Sequence, residues 1–384
     1  MSRIDELIAK HCPSGVRHKA IGDIAKCYAG ATPRSGVDAY WTNGTIPWMG
    51  SGEVNKKTVY DTDKRITKVG FDSCSTRMVP SGAVVIALAG QGKTRGLVAR
   101  TRIELCTNQS LCSIITDEQV DSDYLYFYLT SQYQKLRSVS SGDGTRGGLN
   151  LQMIRNYIVP VPPIEVQREI VNILDKFTQL ETELETELEA RKKQYEYYRN
   201  ILVDVENSNS TALTKLIDVC KSISSGKNKS KNKVGSFPVF GSTGVIGYTE
   251  SPKYKHDTLL VARVGANAGY VHKSYGDYDV SDNTLIVDLK DNVNLDYIYY
   301  LLVALNLNQY ATGGGQPLIT GGKLKEIIVP IPPIEKQNRI ASTLNNFDKL
   351  VNDISVGLPA ELNARRKQYE YYRDKLLTFE ELNV

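Results

Sequence analysis

The sequence lacks any long apolar run, and this absence argues against a membrane-spanning helix. No stretch of about 18 consecutive apolar residues occurs, whereas a helix that crosses a bilayer needs about 20. The first twelve residues, MSRIDELIAKHC, also lack the apolar segment of a signal peptide. We therefore expect a cytoplasmic protein without membrane association.

Cysteine and histidine are few and scattered. The chain contains 6 cysteines and 4 histidines, no two cysteines form a C-x-x-C pair, and the histidines complete no zinc pattern. We expect reduced thiols and no bound metal. The cysteines are Cys12, Cys27, Cys74, Cys106, Cys112 and Cys220.

Familiar catalytic motifs are also missing. The sequence contains no G-x-S-x-G, no H-E-x-x-H and no Asn-Pro-Pro-aromatic motif of an amino-methyltransferase. Residues 87–94 (ALAGQGKT) approach a phosphate-binding loop, but the strict pattern has Gly where Ala87 stands. Such a loop also precedes a helix, whereas Arg95 and Gly96 predict a turn into a strand. We expect no catalytic residue in this chain, with a nucleotide-binding protein as an alternative.

Positive charge is confined to two stretches of the chain. Residues 17–160 hold 18 Lys or Arg against 12 Asp or Glu, and residues 212–330 hold 13 against 10. Residues 161–211 between them are acidic, with 6 against 11. A polyanionic partner would therefore meet the two basic stretches. A scaffold that bridges proteins is the alternative to a nucleic-acid-binding function.

An internal repeat dominates the sequence. Residues 159–165 (VPVPPIE) recur as residues 329–335 (VPIPPIE), and residues 191–199 (RKKQYEYYR) recur as residues 365–373 (RRKQYEYYR). Each half reads as a variable β-rich domain, a short Tyr-rich helix, a Gly-rich loop, a Pro-rich hinge and a long helix. We expect an α+β fold with two pseudo-symmetric β-rich globular domains, separated by long helices.

The segments after the hinges carry apolar residues at every third or fourth position, which predicts long amphipathic helices. Roughly 40 helical residues would span about 60 Å. Two matched stripes favour an antiparallel coiled coil, and the alternative is that each helix packs only on its own domain. The predicted segments are a short N-terminal helix at 1–16, domain 1 at 17–160, helix 1 at 161–206, domain 2 at 207–330, and helix 2 at 331–384 with a kink near Gly357 and Pro359.

Residues 182–189 (TELETELE) repeat a tetrapeptide within the first long segment. Four residues turn a helix by about 400°, so one added unit keeps the apolar stripe nearly in phase and lengthens the helix by about 6 Å. The segment is either an acidic, exposed helix face or a spacer of variable length.

Polar side chains in the predicted loops suit DNA. Gln and Asn match adenine edges, Arg matches guanine, and Lys matches phosphates. For each of these residues, ordinary surface polarity is the alternative. The candidates are Gln91, Lys93, Thr94, Arg95, Thr145 and Arg146 in the first half, and Lys227, Lys229, Ser242, Thr243, Arg263, Asn267 and Gln316 in the second.

Tyrosine is abundant, with 23 Tyr against 7 Phe. Some of these tyrosines lie on the apolar stripes, where they would pack in the core. Tyr197 and Tyr371 occupy the same position of the repeated segment and point away from the stripe. We interpret these two residues as contacts for a partner subunit.

The whole layout resembles the specificity subunit of type I restriction–modification systems. Two V-P-[VI]-P-P-I-E hinges, two A-R-[RK]-K-Q-Y-E-Y-Y-R segments and paired variable domains carry the resemblance over essentially the full length. Residues 237–248 (FPVFGSTGVIGY), 262–265 (ARVG) and 281–284 (SDNT) look like one common form of that family's recognition domain, and residues 45–49 (TIPWM) with 51–54 (SGEV) like another.

The resemblance implies one DNA-recognition domain per half and a bipartite, asymmetric DNA site whose gap the helices set. It also implies two modification subunits that methylate adenines with S-adenosylmethionine, and restriction subunits that use ATP and Mg. None of these cofactors would bind to this chain.

Overall fold

The computed structural model describes residues 3–90, 94–139, 148–204, 211–228 and 232–382. It divides into two compact units, which we call unit 1 (residues 1–182 and 364–384) and unit 2 (residues 183–363). Each unit contains both sheets and helices, so the expected α+β fold with two similar β-rich halves is confirmed.

The strands of unit 1 are short. They are β1 (Arg17–Ala20), β2 (Ala25–Ala29), β3 (Ile46–Met49), β4 (Thr58–Val59), β5 (Lys64–Ile66), β6 (Val84–Ala87), β7 (Val98–Thr101), β8 (Cys106–Thr107), β9 (Leu111–Thr116) and β10 (Ile158–Val161). Its helices are α1 (Arg3–His11), α2 (Ile21–Ile24), α3 (Lys68–Asp72), α4 (Ser122–Ser131), α5 (Tyr133–Ser138) and α6 (Leu151–Arg155), with 3-10 turns at Asp38–Tyr40 and Ser51–Lys56.

Helix α7 (Ile164–Val203) begins in unit 1 and ends in unit 2. The strands of unit 2 are β11 (Ala212–Lys215), β12 (Cys220–Ser225), β13 (Phe237–Gly241), β14 (Gly244–Thr249), β15 (Thr258–Ala262), β16 (Val271–Ser274), β17 (Asp279–Val280), β18 (Thr284–Leu289) and β19 (Ile328–Ile331). Its helices are α8 (Leu295–Ala304), α9 (Gly321–Lys325) and α10 (Ile334–Asn352), with 3-10 turns at Leu216–Val219 and Leu307–Tyr310; α11 (Gly357–Leu377) begins in unit 2 and ends in unit 1.

The sheets of the two units share the same strand order, apart from one additional strand in unit 1. The main sheet has the order β2-β9-β6-β7-β4 in unit 1 and β12-β18-β15-β16 in unit 2, so β4 is an additional edge strand. The second sheet has the order β5-β3-β8 in unit 1 and β14-β13-β17 in unit 2. In both second sheets the last pair is parallel. The repeat seen in the sequence is therefore a repeat of topology.

Continuous apolar sequence places β6 and β15 at the centre of the main sheets. Every residue of both strands is buried, as expected for strands covered on both faces. Helix α4 covers the first sheet and α8 the second. Each helix starts on a side chain that caps its free N–H groups, Asp121 in α4 and Asn294 in α8.

Each Pro-rich hinge is held in the same way. Tyr124 of α4 donates a hydrogen bond from its hydroxyl to the Pro160 carbonyl at 3.1 Å. In the same way, the Tyr297 hydroxyl of α8 donates a hydrogen bond to the Pro330 carbonyl at 2.8 Å. These hydrogen bonds fix the backbone of β10 and β19 where it leads through the Pro-rich hinge into the long helix.

The long helices pack against each other within each unit. In unit 1, Phe177 of α7 stacks on Tyr372 of α11, with ring centroids 5.6 Å apart, and Glu181 pairs with Arg366 at 2.7 Å. Residue numbers rise along α7 as they fall along α11, so these helices are antiparallel. In unit 2, Tyr195 of α7 donates to Asp348 of α10 at 3.1 Å. The predicted mutual packing of the long helices is confirmed, and the start of α7 also packs into the core of unit 1.

The second long segment is interrupted between α10 and α11. Gly357, the first residue of α11, has φ +78°, and a Cβ there would lie 2.5 Å from the Leu350 carbonyl oxygen. Only glycine fits this turn without strain.

No helix in the described part of the chain is long and apolar enough to cross a membrane. All six cysteine thiols are free.

Candidate DNA-recognition surfaces

Four loops of unit 2 meet at one end of its sheets. They are the β13–β14 turn, the β15–β16 loop, the turn at 281–283 before β18, and the loop at 312–318. We call them the unit 2 loop cluster. The cluster contains five of the residues predicted from the sequence: Ser242, Thr243, Arg263, Asn267 and Gln316.

Hydrogen bonds connect the first three loops. The Ser242 hydroxyl donates to the Asn283 carbonyl at 2.7 Å, and the Asn267 side-chain amide donates to the Ser242 carbonyl at 3.3 Å. Ser242 and Thr243 form the two-residue turn between β13 and β14, which closes at Gly244 with φ +93°. Thr243 and Asn267 are exposed, so both can reach a ligand.

Arg263 is the most constrained residue of the unit 2 loop cluster. Its backbone N–H donates to the Asn283 carbonyl at 2.9 Å, and its Nη1 donates to the Asp282 carbonyl at 3.4 Å. Its Nε is buried and has no hydrogen-bond partner among the described residues. The guanidinium therefore stabilises the turn before β18.

The fourth loop presents Gln316. Thr312 pairs with Leu318 across this loop, and Gly265 donates to the Pro317 carbonyl at 3.0 Å. Gln316 is exposed at the tip. Lys227 is also exposed and follows Gly226, whose backbone packs on Val280 of β17. Lys229 lies outside the described residues.

Unit 1 builds the corresponding surface on the β6–β7 loop. Leu97 donates to the Thr94 carbonyl at 2.9 Å, and Gly96 donates to the Ala87 carbonyl at 2.9 Å. This turn places Thr94 and Arg95 at the end of the main sheet, where both are partly exposed. The remaining predicted residues of this half, Gln91, Lys93, Thr145 and Arg146, lie outside the described residues.

The phosphate-loop alternative does not fit the β6–β7 connection. Strand β7 runs antiparallel to β6, with Val84 opposite Arg100. A phosphate-binding loop instead leads into a helix whose N-terminus cradles the phosphates. The described residues also contain no cluster of three or more side chains that could hold a metal ion.

The sequence reasoning missed the turn before β9. Asn108 accepts a hydrogen bond from the Ser110 backbone at 3.0 Å, and the exposed Gln109 accepts one from the Thr32 hydroxyl. This turn corresponds to residues 281–283 of unit 2. The signal lay in the repeat, because residues 108–111 (NQSL) occupy the positions of residues 281–284 (SDNT).

An ionic contact between a strand of the main sheet and a helix supports each surface. In unit 1, Arg100 of β7 pairs with Asp175 of α7 at 2.7 Å and with Asp123 of α4 at 3.2 Å. In unit 2, Lys273 of β16 pairs with Asp296 of α8 at 2.5 Å. Burial alone would lower the pKa of Arg100, but the two carboxylates outweigh it and the pKa is raised. Arg100 therefore stays charged and ties the loop-bearing strand to α4 and α7.

Tyr197 and Tyr371 are exposed, at 63% and 64%. Each makes an edge-on contact with the following tyrosine, Tyr198 or Tyr372, at 5.5 and 5.3 Å between ring centroids. Two equivalent, exposed aromatic pairs are suited to bind the same partner twice. That role stays a prediction.

The family model of the type I restriction modification DNA specificity domain matches residues 13–191 and 211–364. The chain belongs to this family. The two matches coincide with the two halves of the repeat. Family membership makes the chain a DNA-sequence-recognition subunit of a type I restriction–modification system. It also implies DNA and the methyltransferase and restriction subunits as partners.

Known specificity subunits resemble the chain over most of their length. The EcoR124I/EcoR124II specificity subunit of Escherichia coli is 33% identical over 67% of this chain and 70% of that protein. The EcoprrI specificity subunit of Escherichia coli is 28% identical over 85% of this chain and 86% of that protein.

Two solved structures share the fold of this specificity subunit. One, from a study of complex assembly and conformational transition of the type I R-M system, has a TM-score of 0.68 at 16% identity and covers 95% of this chain and 98% of its own. The S subunit from M. genitalium has a TM-score of 0.58 at 15% identity and covers 94% and 96%.

Proposed function

We propose that this specificity subunit recognises a bipartite, asymmetric DNA site and directs adenine methylation and restriction by its partner subunits. One observation carries the proposal. Each unit has loops at the same end of the same sheets, but the loops carry different side chains. Thr94 of unit 1 occupies the position of Asn267 in unit 2. Gln109 occupies the position of Asp282, and Leu88 that of Arg263.

The chemistry of these side chains fits base reading. Amide side chains can bond both edges of adenine, and a guanidinium can bond guanine in the same bidentate way. Because the two sets differ, each unit would read a different half-site. The basic character of residues 17–160 and 212–330 favours DNA over an uncharged protein partner.

The chemistry itself would belong to partners. The exposed pairs at Tyr197 and Tyr371 support binding of two modification subunits, which would carry S-adenosylmethionine. Restriction subunits, where present, would carry ATP and Mg. The purified chain alone should therefore neither methylate DNA nor hydrolyse ATP. If the chain alone hydrolyses ATP and Lys93→Ala abolishes this hydrolysis, the result would instead support a nucleotide-binding function.

Mapping methylated adenines tests the proposal directly. The chain is expressed with its modification subunit, and the methylated motif is read from genomic DNA. We expect two short half-sites separated by unread base pairs. Asn267→Ala should relax only one half-site and Gln109→Ala only the other. A single uninterrupted motif, or DNA binding that is insensitive to salt, would contradict the proposal.

A further inference from the structure

One cation of unit 1 is held at the recognition end without a carboxylate. Arg77 is exposed, and its guanidinium carbon lies 4.9 Å from the centroid of the Tyr28 ring. No ion pair forms between Arg77 and any Asp or Glu of the described residues. Its charge is therefore available to a ligand.

The backbone fixes Arg77 beside the base-reading turn. Val79 and Leu105 exchange backbone hydrogen bonds at 2.8 and 3.1 Å, and the Thr76 hydroxyl donates to the Thr107 carbonyl at 3.3 Å. Thr107 directly precedes Asn108 and Gln109. Arg77 is therefore placed at the same edge as those two side chains.

Tyr28 lies at the same edge and contacts Arg77 through its ring. It lies on β2, opposite Ser113 of β9, two residues before Gly30. A Cβ on Gly30 would fall 1.8 Å from the Thr107 carbonyl oxygen, so the strand end lies directly against Thr107. The ring covers one face of the Arg77 guanidinium and leaves its N–H edges open. A guanidinium with open edges suits a phosphate, which it can bind with two parallel hydrogen bonds.

Unit 2 places a cation at the equivalent edge by a different route. Gly226 follows β12 as Gly30 follows β2, and it packs in the same way against β17. Asn228 donates to the Val280 carbonyl as Ala31 donates to the Thr107 carbonyl. The exposed Lys227 is therefore an additional residue after Gly226, with no counterpart in unit 1. Arg77 thus supplies from another segment the positive charge that unit 1 lacks at this position.

We propose that Arg77, held over the Tyr28 ring, contacts a DNA backbone phosphate next to the half-site read by unit 1. The inference rests on the proposed function and adds a residue that positions the duplex without reading its sequence. Tyr28 is a positioning residue for the guanidinium.

The test compares DNA binding by the complete complex with its modification subunits across a salt series. One duplex carries the methylated motif of the wild type, and another has both half-sites scrambled. Arg77→Ala should weaken binding to both duplexes by a similar factor. The slope of log affinity against log salt should fall by about 0.9, so the advantage of the wild type should shrink about threefold between 50 and 200 mM salt. The methylated motif should not change.

Lys68 provides the matched control. Its ammonium also lies over a ring of unit 1, 4.8 Å from the centroid of Phe71, but it pairs with Asp72 at 2.8 Å. Lys68→Ala should leave the salt slope unchanged. Tyr28→Phe should keep binding at the wild-type level, whereas Tyr28→Ala should weaken it.

Several results would overturn the inference. One is that Arg77→Ala keeps the wild-type salt slope. Another is that Lys68→Ala weakens DNA binding as much as Arg77→Ala does. A third is that Arg77→Ala changes the base preference in one half-site. Thermal unfolding of each variant shows whether a loss of binding comes from misfolding, and Arg77→Lys, which keeps the charge, should retain the wild-type slope. A wild-type complex that binds both duplexes equally would contradict the proposed function instead.

Discussion

Two buried glutamines hold the start of the long helices. Gln167 of α7 donates to the Pro162 carbonyl at 2.7 Å and to the Gln119 carbonyl at 2.9 Å, and it accepts from the Asp121 backbone at 2.8 Å. Gln337 of α10 donates to the Pro332 carbonyl at 2.8 Å. Both side chains are almost fully buried. Each amide satisfies backbone groups that no other side chain reaches in the described structure.

Replacing this amide should destabilise unit 1. Gln167→Leu keeps the volume but leaves buried backbone groups without partners, which should cost about 2–3 kcal/mol. Thermal unfolding of the full chain measures the effect. Gln152→Leu is the control, because Gln152 is exposed and bonds only to Asn156. Equal unfolding midpoints for the two variants would show that the buried hydrogen bonds do not hold the hinge.

Arg95 provides a prediction for recognition by a single side chain. If it binds guanine, Arg95→Ala should weaken DNA binding by about 1–3 kcal/mol and relax one half-site only. The methylated motif and the affinity for the wild-type duplex measure this. A uniform loss over all sequences would identify a phosphate contact. Unchanged affinity and an unchanged motif would remove Arg95 from the recognition surface.

At the scale of elements, strong local periodicity made the long helices predictable. The stripe of Ile170, Leu174 and Phe177 is read directly from the sequence, and the repeat identified both hinges. The parallel pairing of β3 with β8 could not be predicted, because it joins residues more than 50 positions apart with no local signal. Gln109 could have been found from the repeat, but its short turn carries no local signal, and its contact with Thr32 forms only in the fold.

Helix α7 carries the duplicated tetrapeptide, residues 182–189, where unit 1 ends and unit 2 begins. The division between the units falls between residues 182 and 183, at the start of this segment. The helix continues without interruption from Ile164 to Val203. A change of length here therefore acts on the element that joins unit 1 to unit 2.

Inserting a third TELE unit should lengthen the unread spacer of the DNA site. The insertion extends α7 by about 6 Å and adds only about 40° of rotation beyond a full turn. Since base pairs rise about 3.4 Å, we expect one or two additional pairs between unchanged half-sites. One pair is the easier match, because two would add about 70° of DNA twist. Methylated motifs from cells carrying insertion and deletion variants measure the spacer. An active variant with the original spacing would show that α7 does not set the distance.

At the scale of the whole molecule, the two ends of the chain meet in unit 1. The Val16 backbone donates to the Glu380 carbonyl at 2.9 Å, and Leu382 donates to the Val16 carbonyl at 2.9 Å. Ile4 of α1 and Leu376 of α11 belong to the same core. The N-terminal segment therefore packs against the end of the last helix.

A circular permutant should fold and keep its specificity. The permutant joins the last residue to the first through a short linker and opens the chain between Asp204 and Thr211. It should bind the modification subunits and methylate the wild-type motif, because the ends already lie together. Linkers of several lengths serve as controls. Failure of every linker length to give folded protein would contradict the closed arrangement.

The meeting of the ends also constrains how the protein is made. The N-terminus of a chain leaves the ribosome first, yet the core of unit 1 includes Leu376 and Leu377. Unit 2, which ends at residue 363, can complete its fold while unit 1 still waits for the last helix. An apolar surface around Ile4 and Ile170 then stays exposed until Leu376 and Leu377 have left the ribosome, and exposed apolar surfaces promote aggregation. The N-terminal recognition unit should thus form after unit 2, and a truncation before Leu376 should destabilise unit 1 more than unit 2.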